Sequence, residues 1–127
     1  MTLLSVAAVA VGGGLGATLR YLVTTFVARW VSGPGFPWGT LTVNVLGSLL
    51  LGLLVGVAAK KCPLPMVWQT FLFVGVLGGF TTFSTFSLET VLLAERHYGL
   101  AAAYVVVSVG AGVAAMLAGL AIMRWSM

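Results

Sequence analysis

Charge is scarce in this chain: 127 residues include six Lys or Arg, two Asp or Glu, one His and one Cys. A water-soluble domain of this size needs a charged shell, which charged residues making up 6% of the chain cannot supply. Disorder fails for the opposite reason, since low hydrophobicity is what keeps a chain unfolded, and here 61% of residues are apolar with a mean hydropathy of +1.16. The isoelectric point near 9.9 rests on scattered cations with no basic run longer than Lys60-Lys61, which excludes a nucleic-acid partner. Cys62 has no second cysteine, so it is an incidental loop thiol rather than half of a disulfide or part of a metal site. His97, beside Glu95 and Arg96, is likewise a loop residue. No Lys or Arg precedes Arg20, so the apolar N-terminal run lacks the basic start of a cleaved signal and reads as a span that stays. A phosphate-binding loop and a catalytic constellation are also missing, and the chain does not read as an enzyme.

What remains is apolar sequence divided at a few polar or proline-containing points. The expected fold is all-α, a single transmembrane domain over residues 1–127 with spans at about 3–26, 38–59, 66–94 and 100–123. Ala28 to Pro37, with Gly33, Pro34, Gly35 and Pro37, is expected to be a loop, and Thr40 is placed to cap the second span. Lys60-Lys61 marks an interface stop. In the third span, residues 78–87 read GGFTTFSTFS, a poor helix of glycines, β-branched threonines and crowded hydroxyls. A discontinuous span is expected there, and irregular backbone is tolerated in lipid only where it is buried in protein or lines a site. Gly12 with Gly16, and Gly52 with Gly56, have the spacing of close helix packing. Lys60, Lys61 and Arg124 lie on the side of the termini, against Arg29 and Arg96 opposite, with Arg20 near the end of the first span. That near balance permits insertion both ways and an antiparallel dimer.

Polar groups inside a membrane are costly, so each needs an account. Asn44 lies well inside the second span; its amide either binds an anion without a buried charge or ties helices together. Arg20 either snorkels to the interface or attracts anions to a vestibule. Glu89 answers Arg20 as a structural pair or faces a water-filled vestibule, with the structural role favoured. Phe83 and Phe86 share one face of the segment after the interruption, interleaved with hydroxyls. The positive edge of a phenyl ring can stabilise a dehydrated anion without trapping it, and passage needs weak binding at several places.

The phrases GGLGATLRY at 13–21, GTLTVNVLG at 39–47 and GGFTTFSTFSLE at 78–89 resemble the signatures of the CrcB/Fluc fluoride channel family. The resemblance implies an antiparallel dual-topology homodimer in a prokaryotic plasma (inner) membrane, with two narrow fluoride pores flanking a central structural sodium ion. It implies that Asn44 is the pore amide, that Phe83 and Phe86 line the pore with Thr82, Tyr104 and Ser108, and that Arg20 lies at the vestibule. Gly78 and Thr81 would offer backbone carbonyls to sodium. Family members often continue a line of hydroxyls along the fourth span, where this chain has Gly112 and Met116. The rival reading is a small proton-coupled multidrug exporter, which needs an intramembrane carboxylate, typically in the first span; that span has none, leaving only Glu89. A non-transporting scaffold rests on the packing glycines alone and leaves the Thr/Phe stretch unexplained.

Overall fold

The computed structural model describes residues 2–31, 35–60 and 64–125. Among these residues the fold is all-helical, with four helical stretches long and apolar enough to cross a membrane: Leu3–Trp30, Trp38–Ala59, Met66–Ala94 and Tyr98–Trp125. The first is helix α1 (Leu3–Trp30) and the second lies in α2 (Trp38–Lys60). The third comprises α3 (Met66–Gln69), a π-helical segment (Thr70–Leu77), α4 (Gly78–Phe80) and α5 (Phe83–Ala94), and the last is α6 (Tyr98–Trp125). Large apolar side chains cover the outside, from Leu3 at 89% exposed to Trp125 at 91%, a surface suited to lipid rather than water. The expected loop thiol Cys62, with Lys61 and the turn residues Ser32, Gly33 and Pro34, lies outside the described residues. His97 is exposed, in the turn between α5 and α6.

Three local expectations are revised. Helix α1 runs on to Trp30, so Ala28 and Arg29 are helical rather than part of the loop. Helix α2 starts at Trp38, directly after Pro37, whose carbonyl accepts the Leu41 N–H at 3.2 Å. Thr40 therefore sits inside the first turn and does not cap it; its hydroxyl is spent on Glu89 instead. In the 78–87 stretch only Thr81 (φ −83°, ψ 160°) and Thr82 (φ −151°, ψ 117°) leave helical conformation. Thr82 Oγ1 accepts the Thr85 N–H at 3.3 Å, an N-cap that restarts the helix at once.

Glycine decides how closely the helices meet. A Cβ on Gly16 would collide with the Val76 carbonyl and lie 2.8 Å from the Phe80 nitrogen, so α1 touches the third span backbone to backbone. Gly79 does the same from the other side, 2.6 Å from the Gly13 carbonyl, so the glycines that weaken helix propensity there serve packing. On the opposite flank α2 packs along α6, where Gly52 faces the Met116 carbonyl and Gly119 would meet the Leu49 carbonyl at 2.5 Å. Close backbone approach is how helices associate where lipid removes the hydrophobic drive.

Candidate ion-conducting site

The two extended threonines bring backbone polar groups into the middle of an apolar span, where each must be satisfied. Thr81 donates twice to the Leu77 carbonyl, through its N–H and its Oγ1, both at 3.0 Å. Thr82 is held by Asn44: its N–H donates to Asn44 Oδ1 at 2.8 Å, and Asn44 Nδ2 donates to its carbonyl at 3.1 Å. A side-chain amide from α2 thus replaces the helical ladder at the interruption. Of the two readings of Asn44, the tie between helices is directly visible. The second N–H of Nδ2 is left over from this clamp. Because the Thr82 N–H turns to Asn44, the Gly78 carbonyl loses the donor that a continued helix would bring.

A cavity of about 300 Å³ opens beside the clamp, lined by Asn44, Ser48, Gly78, Thr81, Thr82 and Phe83 among others. Phe83 is 78% exposed and its ring centroid lies 5.7 Å from that of Phe86. Phe86 turns inward and stacks tilted on Tyr104 at 5.2 Å, against the buried cluster of Leu93, Ala101 and Tyr104. The two phenylalanines thus join the open side of the molecule to its interior. Tyr104 and Ser108, four apart on α6, are both buried.

Glu89 is the hub that the residues alone did not reveal. Its Oε1 accepts the Thr40 hydroxyl and its Oε2 the Tyr104 hydroxyl, each at 2.8 Å, which ties α2, α5 and α6 together. The structural role favoured for Glu89 is thus filled by these two hydroxyls rather than by Arg20. Arg20 is half-buried on α1. Glu89 also borders a hollow with Phe36, Arg96 and His97. The spacing from Thr40 and Tyr104 is too long-range to read from sequence, and only the placement of a carboxylate within a span signalled that partners were needed. Glu89→Ala is expected to lower stability by about 2–4 kcal/mol, because two hydroxyls lose their acceptor. Glu89→Gln should cost less, since its Oε1 still accepts one hydroxyl and the other can turn to accept from Nε2; unfolding midpoints of the two variants in detergent measure the difference.

Among the described residues no group of three or more His, Cys, Asp or Glu could hold a metal ion. The Gly78 carbonyl, freed of its helical donor and on an exposed residue, is the kind of neutral oxygen that suits a hard cation.

Fold and site together define a class: a multi-pass membrane protein whose polar side chains converge on an interruption in its third span. Residues 7–120 match the family described as CrcB-like protein, Camphor Resistance (CrcB), and the chain belongs to this family. It is 52% identical over 118 residues, 92% of this chain and 93% of the relative, to a protein of Nitrobacter winogradskyi named fluoride-specific ion channel FluC. A protein of the same name from Agrobacterium fabrum is 49% identical over 123 residues, 96% of this chain and 98% of its own. Another from Cereibacter sphaeroides is 53% identical over 117 residues, 91% of each chain.

Proposed function

We propose that this protein is a fluoride-specific ion channel, not an enzyme, through which fluoride leaves the cytoplasm passively across a prokaryotic plasma membrane. The observation that carries the reading is the Asn44 clamp on Thr82 beside a cavity that Phe83 lines, in a chain about half identical to proteins named for fluoride conduction. The exporter reading has no such support: no relative reported above carries an exporter's name, and Glu89 is tied up by two hydroxyls.

Hydrogen fluoride is a neutral weak acid that crosses lipid and dissociates at near-neutral internal pH, which traps the anion inside. A negative interior then drives fluoride outward, with about 2.3 kcal/mol per charge per 100 mV. The residues offer weak, neutral contacts in sequence: the spare Asn44 N–H, the ring edges of Phe83 and Phe86, and the Ser108 hydroxyl, with Thr82 and Tyr104 lining the path while their hydroxyl protons go to Thr85 and Glu89. None of these is a full charge, so an anion can pass from one to the next without being trapped. Arg20 raises the local anion concentration at the entrance. A small, rigid set of donors favours fluoride over chloride.

The reading includes an antiparallel homodimer of oppositely inserted copies, with the interruptions of the two third spans meeting at the centre. The near-even spread of cations supports dual insertion, and the exposure of Gly78 and Phe83 leaves that face available to a twin. A sodium ion there would be structural, joining the two copies through the carbonyls of Gly78 and Thr81.

Efflux from vesicles of purified protein under an imposed voltage tests the function. Fluoride should run out while chloride stays; equal passage of both overturns selectivity. Phe83→Ile is expected to leave the helical fold of each copy intact, since the ring is exposed in the single copy, yet to cut fluoride efflux sharply. Unchanged efflux in that variant removes Phe83 from the path.

A further inference from the structure

Helix α1 carries a polar stripe on its outer side. Tyr21, Thr25 and Arg29 follow one another at four-residue spacing, hence on one face. Arg29 comes about two and a half turns after Arg20, which places it on the opposite side of the helix from the residue read as a vestibule cation. Elsewhere in the spans hydroxyls fold back: Thr18, Thr24, Thr70, Ser87 and Thr90 each donate to the carbonyl four residues earlier, at 2.7–2.9 Å. Thr25 forms no side-chain hydrogen bond among the described residues, and Arg29 forms no ion pair there.

Two hollows meet along Tyr21 and Thr25. One, of about 530 Å³, follows α1 past Leu22 and Phe26 to Arg29. The other, of about 590 Å³, lies between α1 and the start of α2, where Ala28, Val31 and Trp38 add apolar walls. The helices come together beside it, since a Cβ on Gly39 would lie 3.2 Å from the Thr24 Cα. Glu89 borders the second hollow, but Thr40 and Tyr104 hold both of its oxygens. Arg29 itself stands in the last turn of α1, next to the exposed Trp30, the level at which cations and indoles meet headgroups. A cation at a helix C-terminus complements the dipole, yet that leaves its fork of N–H donors unused.

We infer that this face of α1 is a binding site for an anionic phospholipid. Arg29 takes the phosphate in a bidentate pair. Thr25, about 6 Å deeper along the helix, donates its hydroxyl to an ester oxygen, and the acyl chains lie in the two hollows beside Tyr21, Leu22 and Phe26. Guanidinium, hydroxyl and apolar wall thus descend in the order in which a phospholipid presents phosphate, ester and hydrocarbon. Unpaired positive charge selects an anionic lipid, because a zwitterionic headgroup brings a cation of its own. A lipid seated in both hollows spans the seam between α1 and α2 and stabilises the folded protein by mass action.

The test adds phosphatidylglycerol, or phosphatidylcholine with the same acyl chains, to purified protein in detergent, and reads the unfolding midpoint together with bound lipid by native mass spectrometry. Phosphatidylglycerol should raise the wild-type midpoint by about 3 °C more than phosphatidylcholine does, with one molecule retained per copy in the assembled species. Arg29→Gln should abolish that difference, and Thr25→Val should weaken phosphatidylglycerol binding about fivefold, the scale of one neutral hydrogen bond. Arg96→Gln, which removes another exposed cation, should leave it unchanged. Should Arg29→Gln fail to assemble, Thr25→Val decides in its place. Equal shifts from the two lipids, a wild-type response in Arg29→Gln, or an equal loss in Arg96→Gln overturns the site. So does the same shift from inorganic phosphate alone, which marks a free-anion site, or lipid retained only on single copies, which means that a second chain covers this face.

Discussion

Asn44→Asp should all but stop fluoride efflux. Aspartate keeps an acceptor for the Thr82 N–H but replaces Nδ2, the donor to the Thr82 carbonyl, with a second oxygen. Two oxygens then face each other at about the 3.1 Å now spanned by a hydrogen bond, and the spare N–H offered to the cavity disappears with it. A lost hydrogen bond to a buried group is worth about 1–3 kcal/mol, which alone corresponds to roughly 5–150-fold. An added negative charge repels the permeant anion on top of this. Vesicle efflux measures the flux, and unfolding in detergent measures the clamp. Wild-type flux in this variant would separate Asn44 from permeation altogether.

Gly16→Val is the second large effect, and it acts on folding. The added Cβ would lie on the Val76 carbonyl, within 2.9 Å of its carbon and 2.8 Å of the Phe80 nitrogen, all backbone atoms that no rotamer change can move. Overpacking against yielding side chains costs about 1–3 kcal/mol, so a collision with the main chain of α4 and the π-helical segment should exceed that range. The contact lies just before Thr81, so the damage spreads to the Asn44 clamp. Loss of the assembled species on gel filtration is the expected result. Gly14→Ala, with nothing within 4 Å of the new methyl, serves as the control and should behave as wild type.

Much of this architecture could be read from residue types, because span boundaries in lipid follow from hydropathy and the few polar breaks are conspicuous. The all-helical fold with its four long apolar helices and the packing role of Gly12, Gly16, Gly52 and Gly56 were legible for that reason. The extent of the interruption was not. Propensity marked ten residues, but the Thr82 cap restarts the helix at once and the Ser87 hydroxyl is absorbed by the Phe83 carbonyl at 2.9 Å, so the hydroxyls do not extend the interruption. The π-helical winding of Thr70–Leu77 left no trace in TFLFVGVL, which is apolar after Thr70. For Glu89 the favoured structural role was legible but its partner was not, because Arg20 was the partner that opposite charge suggested. Its actual partners, Thr40 and Tyr104, are neutral and 49 and 15 residues away.

The bridge from Asn44 to Thr82 also bears on the order of biogenesis. Since the bend in the third span is closed by an amide of the same polypeptide, each copy can leave the insertion machinery already shaped, with no exposed main-chain donor waiting for a neighbour. Shape is thereby settled before company is found, so the antiparallel pair proposed above would form from two finished halves.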